Sequence, residues 1–97
     1  MRIKDGIVAT PQGYSKNLQD VTGVPLYLKF EIFQHTSSFK ARGALNRLLT
    51  LTDEEKKRGV IANSAGNHAQ GLAFHAQRLG IPATIVMPKN TDRKSVV

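Results

Sequence analysis

From Ser38 onward the apolar residues recur at helical spacing. Ala41, Ala44, Leu45, Leu48 and Leu49 form one stripe, which predicts a helix starting beside Lys40 with Ser37 or Ser38 as its cap. Leu72, Ala73, Ala76 and Leu79 repeat the pattern as far as Gly80, predicting a second long helix. Between them, Thr52 and Glu55 have the spacing of a capping box, and Gly59 ends a helix of one or two turns. Short apolar runs at Val60 to Asn63 and Ala83 to Met87 flank the second long helix and read as strands. Earlier, Val24 to Phe30 (VPLYLKF) reads as a strand bounded by Gly23 and the polar QHTSS loop, with Pro25 tolerated at its beginning. The first twenty residues show no periodicity and are expected to be irregular, with ATPQGYS a turn-rich segment. NTDRKSVV reads as a turn in which Thr91 or Asp92 caps a helix that has only begun.

The succession of strand, helix and strand over residues 60 to 87 is a βαβ unit. Such units almost always make right-handed crossovers in a parallel sheet, and ligands bind at the carboxyl ends of the strands. The fold class is therefore α/β with a parallel sheet, and SAGNH at Ser64 to His68 occupies the crevice position. One βαβ unit leaves a sheet wanting further strands, so the chain is expected to be part of a larger domain.

Composition narrows the picture only modestly. Ninety-seven residues allow one small domain, and 40% hydrophobic with 22% charged residues is the balance of a soluble globular chain. The lack of cysteine excludes a disulfide scaffold and a cysteine-ligated zinc site, and suits a cytoplasmic protein. No stretch has the form of a signal peptide or reaches the length of a membrane span, so no membrane partner is expected. The net charge of +7 raises nucleic acid as a partner. Its distribution argues against that: Lys56, Lys57 and Arg58 follow Asp53, Glu54 and Glu55 at a helix C-terminus, and Lys89, Arg93 and Lys94 lie in a polar tail. No aromatic platform accompanies these charges, and no nucleic-acid partner is expected.

Two segments carry candidate chemistry, SSFKARGA at Ser37 to Ala44 and SAGNHAQG at Ser64 to Gly71. At Ser64, Ala65 and Gly66 a strand turns into a helix through small residues, whose backbone N–H groups at the positive helix end suit a carboxylate or phosphate. The same loop reads equally well as a capped helix in which Ser64 or Asn67 serve only as local backbone partners. Lys40 is one of fourteen basic residues, and its position alone does not single it out. Gly43 and Ala44 keep their helix thin on one side, Gly71 permits close packing, and Arg42 reads as a solvated helix residue. His68 and His75 lie two turns apart, about 10 Å by helix rise, too far to chelate one ion, so no metal is expected and both read as neutral, hydrogen-bonded histidines. His35 is assigned no role.

Taken together, KFEIFQHTSSFKARGALNRLLTLTDEEKKRGVIANSAGNHAQG resembles the threonine dehydratase and serine racemase branch of the fold type II pyridoxal phosphate enzymes, and among them biodegradative threonine dehydratases most of all. The resemblance runs from about Thr10 to the last residue. It implies that residues 1–97 form part of the N-terminal, cofactor-lysine domain, a three-layer αβα unit, and that the large C-terminal domain is absent. By the same resemblance Lys40 carries pyridoxal 5'-phosphate as an imine and acts as the base on the substrate, which requires its neutral amine. Phe39 lies beside it as an apolar wall, and Asn67 reaches the 3′ oxygen of the ring. Ser64, Ala65, Gly66, Asn67 and His68 would bind the carboxylate of a small amino acid, threonine or serine. Threonine would give 2-oxobutanoate and ammonia, with complete family enzymes assembling as homodimers or homotetramers.

The sequence departs from the family pattern at Ser37, where the family has a glycine that suits positive φ or close approach, and at Gln12, where leucine is common. None of the eight glycines is adjacent to another, so no glycine run is present to cradle a phosphate. Little or no turnover is expected from the 97 residues alone. A noncatalytic remnant or interaction fragment, and racemisation in place of elimination, are the alternative readings.

Overall fold

The computed structural model describes residues 1–90, so the helix expected from Thr91 or Asp92 lies outside the described residues. The chain forms α1 (Lys16–Thr22), α2 (Lys40–Leu49), α3 (Asp53–Arg58) and α4 (Asn67–Leu79). Its strands are β1 (Gln12–Tyr14), β2 (Tyr27–Lys29), β3 (Val60–Asn63) and β4 (Ala83–Val86), with single 3-10 turns at Lys4–Gly6 and Glu31–Phe33.

The expected βαβ unit is present. β3 and β4 pair in parallel, with Val60 opposite Ala83 and Asn63 opposite Val86, and α4 connects them. α2 and α4 lie against one another above this sheet. Leu48, Leu72, Ala76 and Ile81 make the core, with Val60, Ala62 and Ile85 packed beneath them. Alternation along the strands turns Ile61 and Val86 to the other face, where they are exposed. The described residues thus contain one helical layer of the expected three-layer arrangement. None of the described helices is long and apolar enough to cross a membrane.

Local chemistry explains each boundary. Thr52 and Glu55 form the full capping box of α3, the Thr52 Oγ1 accepting from the Glu55 N–H and the Glu55 carboxylate accepting from the Thr52 N–H. Gly59 follows at φ 88°, and a Cβ there would lie 2.6 Å from the Pro82 carbonyl oxygen, so only glycine lets β3 begin beside Pro82.

The N-terminal region is more regular than its sequence suggests. Ser15 caps α1 by accepting from the Leu18 N–H, and Gly23 ends it at φ 79°. All but Gln19 of its residues are exposed and none is buried, so no apolar stripe marks the helix. β2 is shorter than the expected strand over residues 24–30 and pairs antiparallel with β1 in a sheet of its own. Val24 is drawn into the end of α1, its N–H donating to Thr22 Oγ1, and Pro25 has no N–H to give a ladder.

Ser37 adopts φ 60°, the left-handed region that glycine occupies without strain. An L-residue there is strained by about 1 kcal/mol. Ser37→Gly is expected to raise the urea midpoint by the equivalent of about 0.5 to 1 kcal/mol, the gain being reduced by the greater freedom of glycine in the unfolded chain.

Candidate functional site

Lys40 opens α2, and the SAGNH segment opens α4. The two helices meet where Gly71 faces the start of α2: a Cβ at Gly71 would lie 3.2 Å from the Lys40 carbonyl oxygen and 3.3 Å from the Ala41 nitrogen. Nothing larger than hydrogen fits comfortably between these backbones. Gly71 is one turn beyond Asn67, about 6 Å along the helix axis, so this contact brings the lysine helix beside the first turn of α4.

The loop between β3 and α4 resolves the two sequence readings of Ser64 in part. Its Oγ accepts from the Ala69 N–H at 3.2 Å and the Gly66 N–H at 3.3 Å, so the hydroxyl caps the helix. The backbone N–H groups of Ala65, Asn67 and His68 have no acceptor among the described residues. They gather at the positive end of a thirteen-residue helix. A Cβ built on Gly66 would meet nothing within 4 Å, so the loop is open. Asn67 is exposed and His68 half-buried.

Lys40 is exposed, and among the described residues its amine has no acidic partner. Its Nζ lies 5.4 Å from the centre of the Phe39 ring, which is itself 62% exposed. Phe39 therefore offers its face to one side of the amine and leaves the other sides open.

Two cavities adjoin the site. One of about 330 Å³ runs between α2 and β3, lined by Ala44, Leu48, Ala62, Leu72 and, from the candidate set, His68 alone. A smaller one of about 160 Å³ lies among His35, Thr36, Ser37, Gln70, Phe74 and Gln77, where Thr36 Oγ1 is buried without a partner.

Several polar residues behind Lys40 escaped the sequence reading. Arg42, expected to be solvated, forms a paired contact with Glu31: Nε donates to Oε2 at 2.8 Å and Nη2 to Oε1 at 3.3 Å. Thr10 Oγ1 donates to Glu31 Oε1 at 2.6 Å, and Gln34 Nε2 donates to Oε2 at 3.0 Å. The Arg42 hydrogen bond, aided by Thr10 and Gln34 and opposed by burial, pulls the Glu31 carboxyl down to about 2. No local pattern announces a cluster whose members lie 3, 11 and 21 residues apart.

His75 does have a sequence signal, its place on the Leu72, Ala76, Leu79 stripe. It is fully buried, and desolvation, with smaller contributions from Arg78 and His35, lowers it to about 4, which favours the neutral ring. The hydrogen bonding expected of it is incomplete: Nδ1 lies 3.5 Å from Arg78 Nη2, and among the described residues Nε2 makes no hydrogen bond of ordinary geometry, the Ala41 backbone only weakly opposing the shift.

Comparison with known proteins places this geometry. Residues 3–96 match the family described as pyridoxal-phosphate dependent enzyme. The chain belongs to that family. An L-threonine ammonia-lyase of Thermotoga maritima is 56% identical over 87 residues, covering 90% of this chain and 22% of that protein. Among solved structures of the family, maize serine racemase superposes with a TM-score of 0.85 at 39% identity, covering 97% of this chain and 29% of that one. The processed form of threonine deaminase isoform 2 from Solanum lycopersicum gives 0.82 at 44% identity, covering 96% and 26%. The chain thus spans about a quarter of the length of these relatives, and its fold is part of a fold type II domain.

The residues present fit one end of pyridoxal phosphate. An unpaired amine on Lys40 suits an aldehyde, and the open N–H groups of the α4 loop suit an acidic group. Among the described residues no loop of neighbouring glycines is available for the phosphate.

Proposed function

We propose that this chain is the lysine-bearing part of a pyridoxal phosphate dependent ammonia-lyase acting on threonine or serine. The observation that carries this reading is the Gly71 contact, which sets Lys40 beside a helix end with unpaired N–H groups. Pyridoxal phosphate, when bound, supplies an aldehyde for the amine and a ring that withdraws electrons from the carbon next to the substrate nitrogen.

The protein's own residues divide the remaining work. Lys40 would hold the cofactor through its side-chain nitrogen and would serve as the base for the substrate Cα proton. The backbone N–H groups of Ala65, Asn67 and His68 hold the substrate carboxylate, and Ser64 fixes the loop by capping α4 rather than by reaching the substrate itself. The Asn67 side chain, exposed at the helix start, is assigned to the ring oxygen, and Phe39 covers one side of the amine. The Cα proton and the β-hydroxyl would leave together as one water and a second water would cleave the carbon–nitrogen bond, so threonine would give 2-oxobutanoate and ammonia in balance. The phosphate and ring-nitrogen contacts are assigned to a further domain, in keeping with relatives more than three times as long as this chain.

Racemisation of serine is the second reading, supported by the superposition with maize serine racemase. The higher identity to an enzyme named for threonine ammonia-lyase favours elimination.

The test is borohydride trapping after addition of pyridoxal phosphate, followed by peptide mapping. Lys40 is expected to carry most of the label, and Lys40→Ala to lose it without gain elsewhere. Even labelling of all lysines, unchanged in Lys40→Ala, would overturn the reading.

A further inference from the structure

The first turn of α2 opens on one backbone hydrogen bond, the Arg42 N–H donating to the Phe39 carbonyl at 3.2 Å, and has no side-chain cap. Phe39, at the cap position, makes no side-chain hydrogen bond to the helix, and the Lys40 N–H has only Ser38 Oγ at 3.3 Å. Lys40 itself is exposed and has no acidic partner among the described residues, so apart from the Phe39 ring its amine is placed by this backbone. Two residues further on, however, Arg42 is tied by two hydrogen bonds to Glu31, whose side chain is 14% exposed.

Glu31 is in turn fixed from behind. Thr10 and Gln34, both buried, donate to its two oxygens, and Gln34 also brackets Val8, accepting from its N–H and donating to its carbonyl, each at 2.9 Å. Residues 8–10, the turn at 31–34 and the start of α2 are thereby joined through one carboxylate. A charge-assisted paired contact of this kind fixes direction as well as distance.

We propose that Glu31 is a positioning residue for Lys40, acting through Arg42 to hold the first turn of α2. The inference rests on the reading of Lys40 as the cofactor lysine. Glu31 touches neither cofactor nor substrate; it sets where the amine stands relative to the α4 loop.

The experiment compares the parent chain with Glu31→Gln, Arg42→Gln and the double variant. Two quantities are read in each: trapped pyridoxal phosphate at Lys40 relative to the other lysines of the same sample, and amide hydrogen exchange in residues 41–44 relative to α4. Circular dichroism establishes that each variant is folded. Glu31→Gln is expected to lower the Lys40 labelling ratio by roughly tenfold. It is also expected to speed exchange at 41–44 by about tenfold while leaving α4 unchanged. The double variant is expected to lose no more than Arg42→Gln alone, because both act through one contact. An unchanged labelling ratio or unchanged exchange in folded Glu31→Gln overturns the proposal, as does simple addition of the two single effects. Faster exchange with no preference for Lys40 in the parent identifies failure of the cofactor-lysine reading, and the proposal falls with it. Should Glu31→Gln fail to fold, Arg42→Lys, which keeps the charge but not the paired geometry, is expected to lower both quantities, and no change in it would overturn the proposal.

Discussion

Replacing Gly71 with valine is expected to destabilise the protein by about 3 kcal/mol and to abolish preferential labelling of Lys40. The Cβ would stand 3.2 to 3.3 Å from the carbonyl oxygen and carbon of Lys40 and from the Ala41 nitrogen. These are backbone atoms of a helix whose Ala41 is buried and whose Leu45 is wholly inaccessible, so they have no rotamer by which to withdraw. Two further methyl groups of valine must enter the same crossing, and α2 and α4 must part to admit them. Gly71→Ala separates this effect from helix propensity. At an uncrowded helix position alanine would gain about 1 kcal/mol over glycine. Here the close contact is expected to outweigh that gain, so Gly71→Ala should unfold at lower urea than the parent. A higher midpoint would show that the crossing is not tight.

Acid is expected to weaken the fold in two successive steps. An unfolded histidine takes up its proton near pH 6.5, whereas buried His75 resists until about 4. The unfolded state therefore binds more protons throughout that interval, and stability falls as the pH is lowered through it, by about 3 kcal/mol in all. The Glu31 carboxylate acts in the next interval: its stabilisation is complete above the ordinary value of 4.5 and is lost as the pH falls towards 2. Small domains have only about 5 kcal/mol to lose, so unfolding is expected between about pH 4 and 3, once the second loss is added to the first. Urea titrations at pH 7, 5.5 and 4 measure the first step, and His75→Leu should flatten it. A slope unchanged in His75→Leu would remove burial of this ring as its cause.

The elements that proved legible in the sequence were those with a strong local signature. The stripes of α2 and α4, the capping box at Thr52 and Glu55, and the glycines at 59 and 80 fixed their elements to within a residue or two. α1 was missed because a small surface helix has no buried stripe, and its only marks are Ser15 and Gly23 at its ends. β2 was drawn too long because β propensity at Val24 and Pro25 says nothing of which backbone groups are free to pair. Of the candidate site, the close packing at Gly71 could be read from residue type, and the positive φ of Ser37 only from the resemblance, which puts a glycine there. Glu31 with Arg42 could not, since their contact exists only when an acid eleven residues away is folded back. Nor could the 62% exposure of the Phe39 ring be read from its adjacency to Lys40, since exposure depends on what the fold places around it.

The crossing at Gly71 has a bearing on motion as well as on stability. With no side chain between the two backbones at Gly71, the start of α2 is expected to move together with the first turns of α4. Any opening around a ligand would then fall to whatever lies across from this pair of helices.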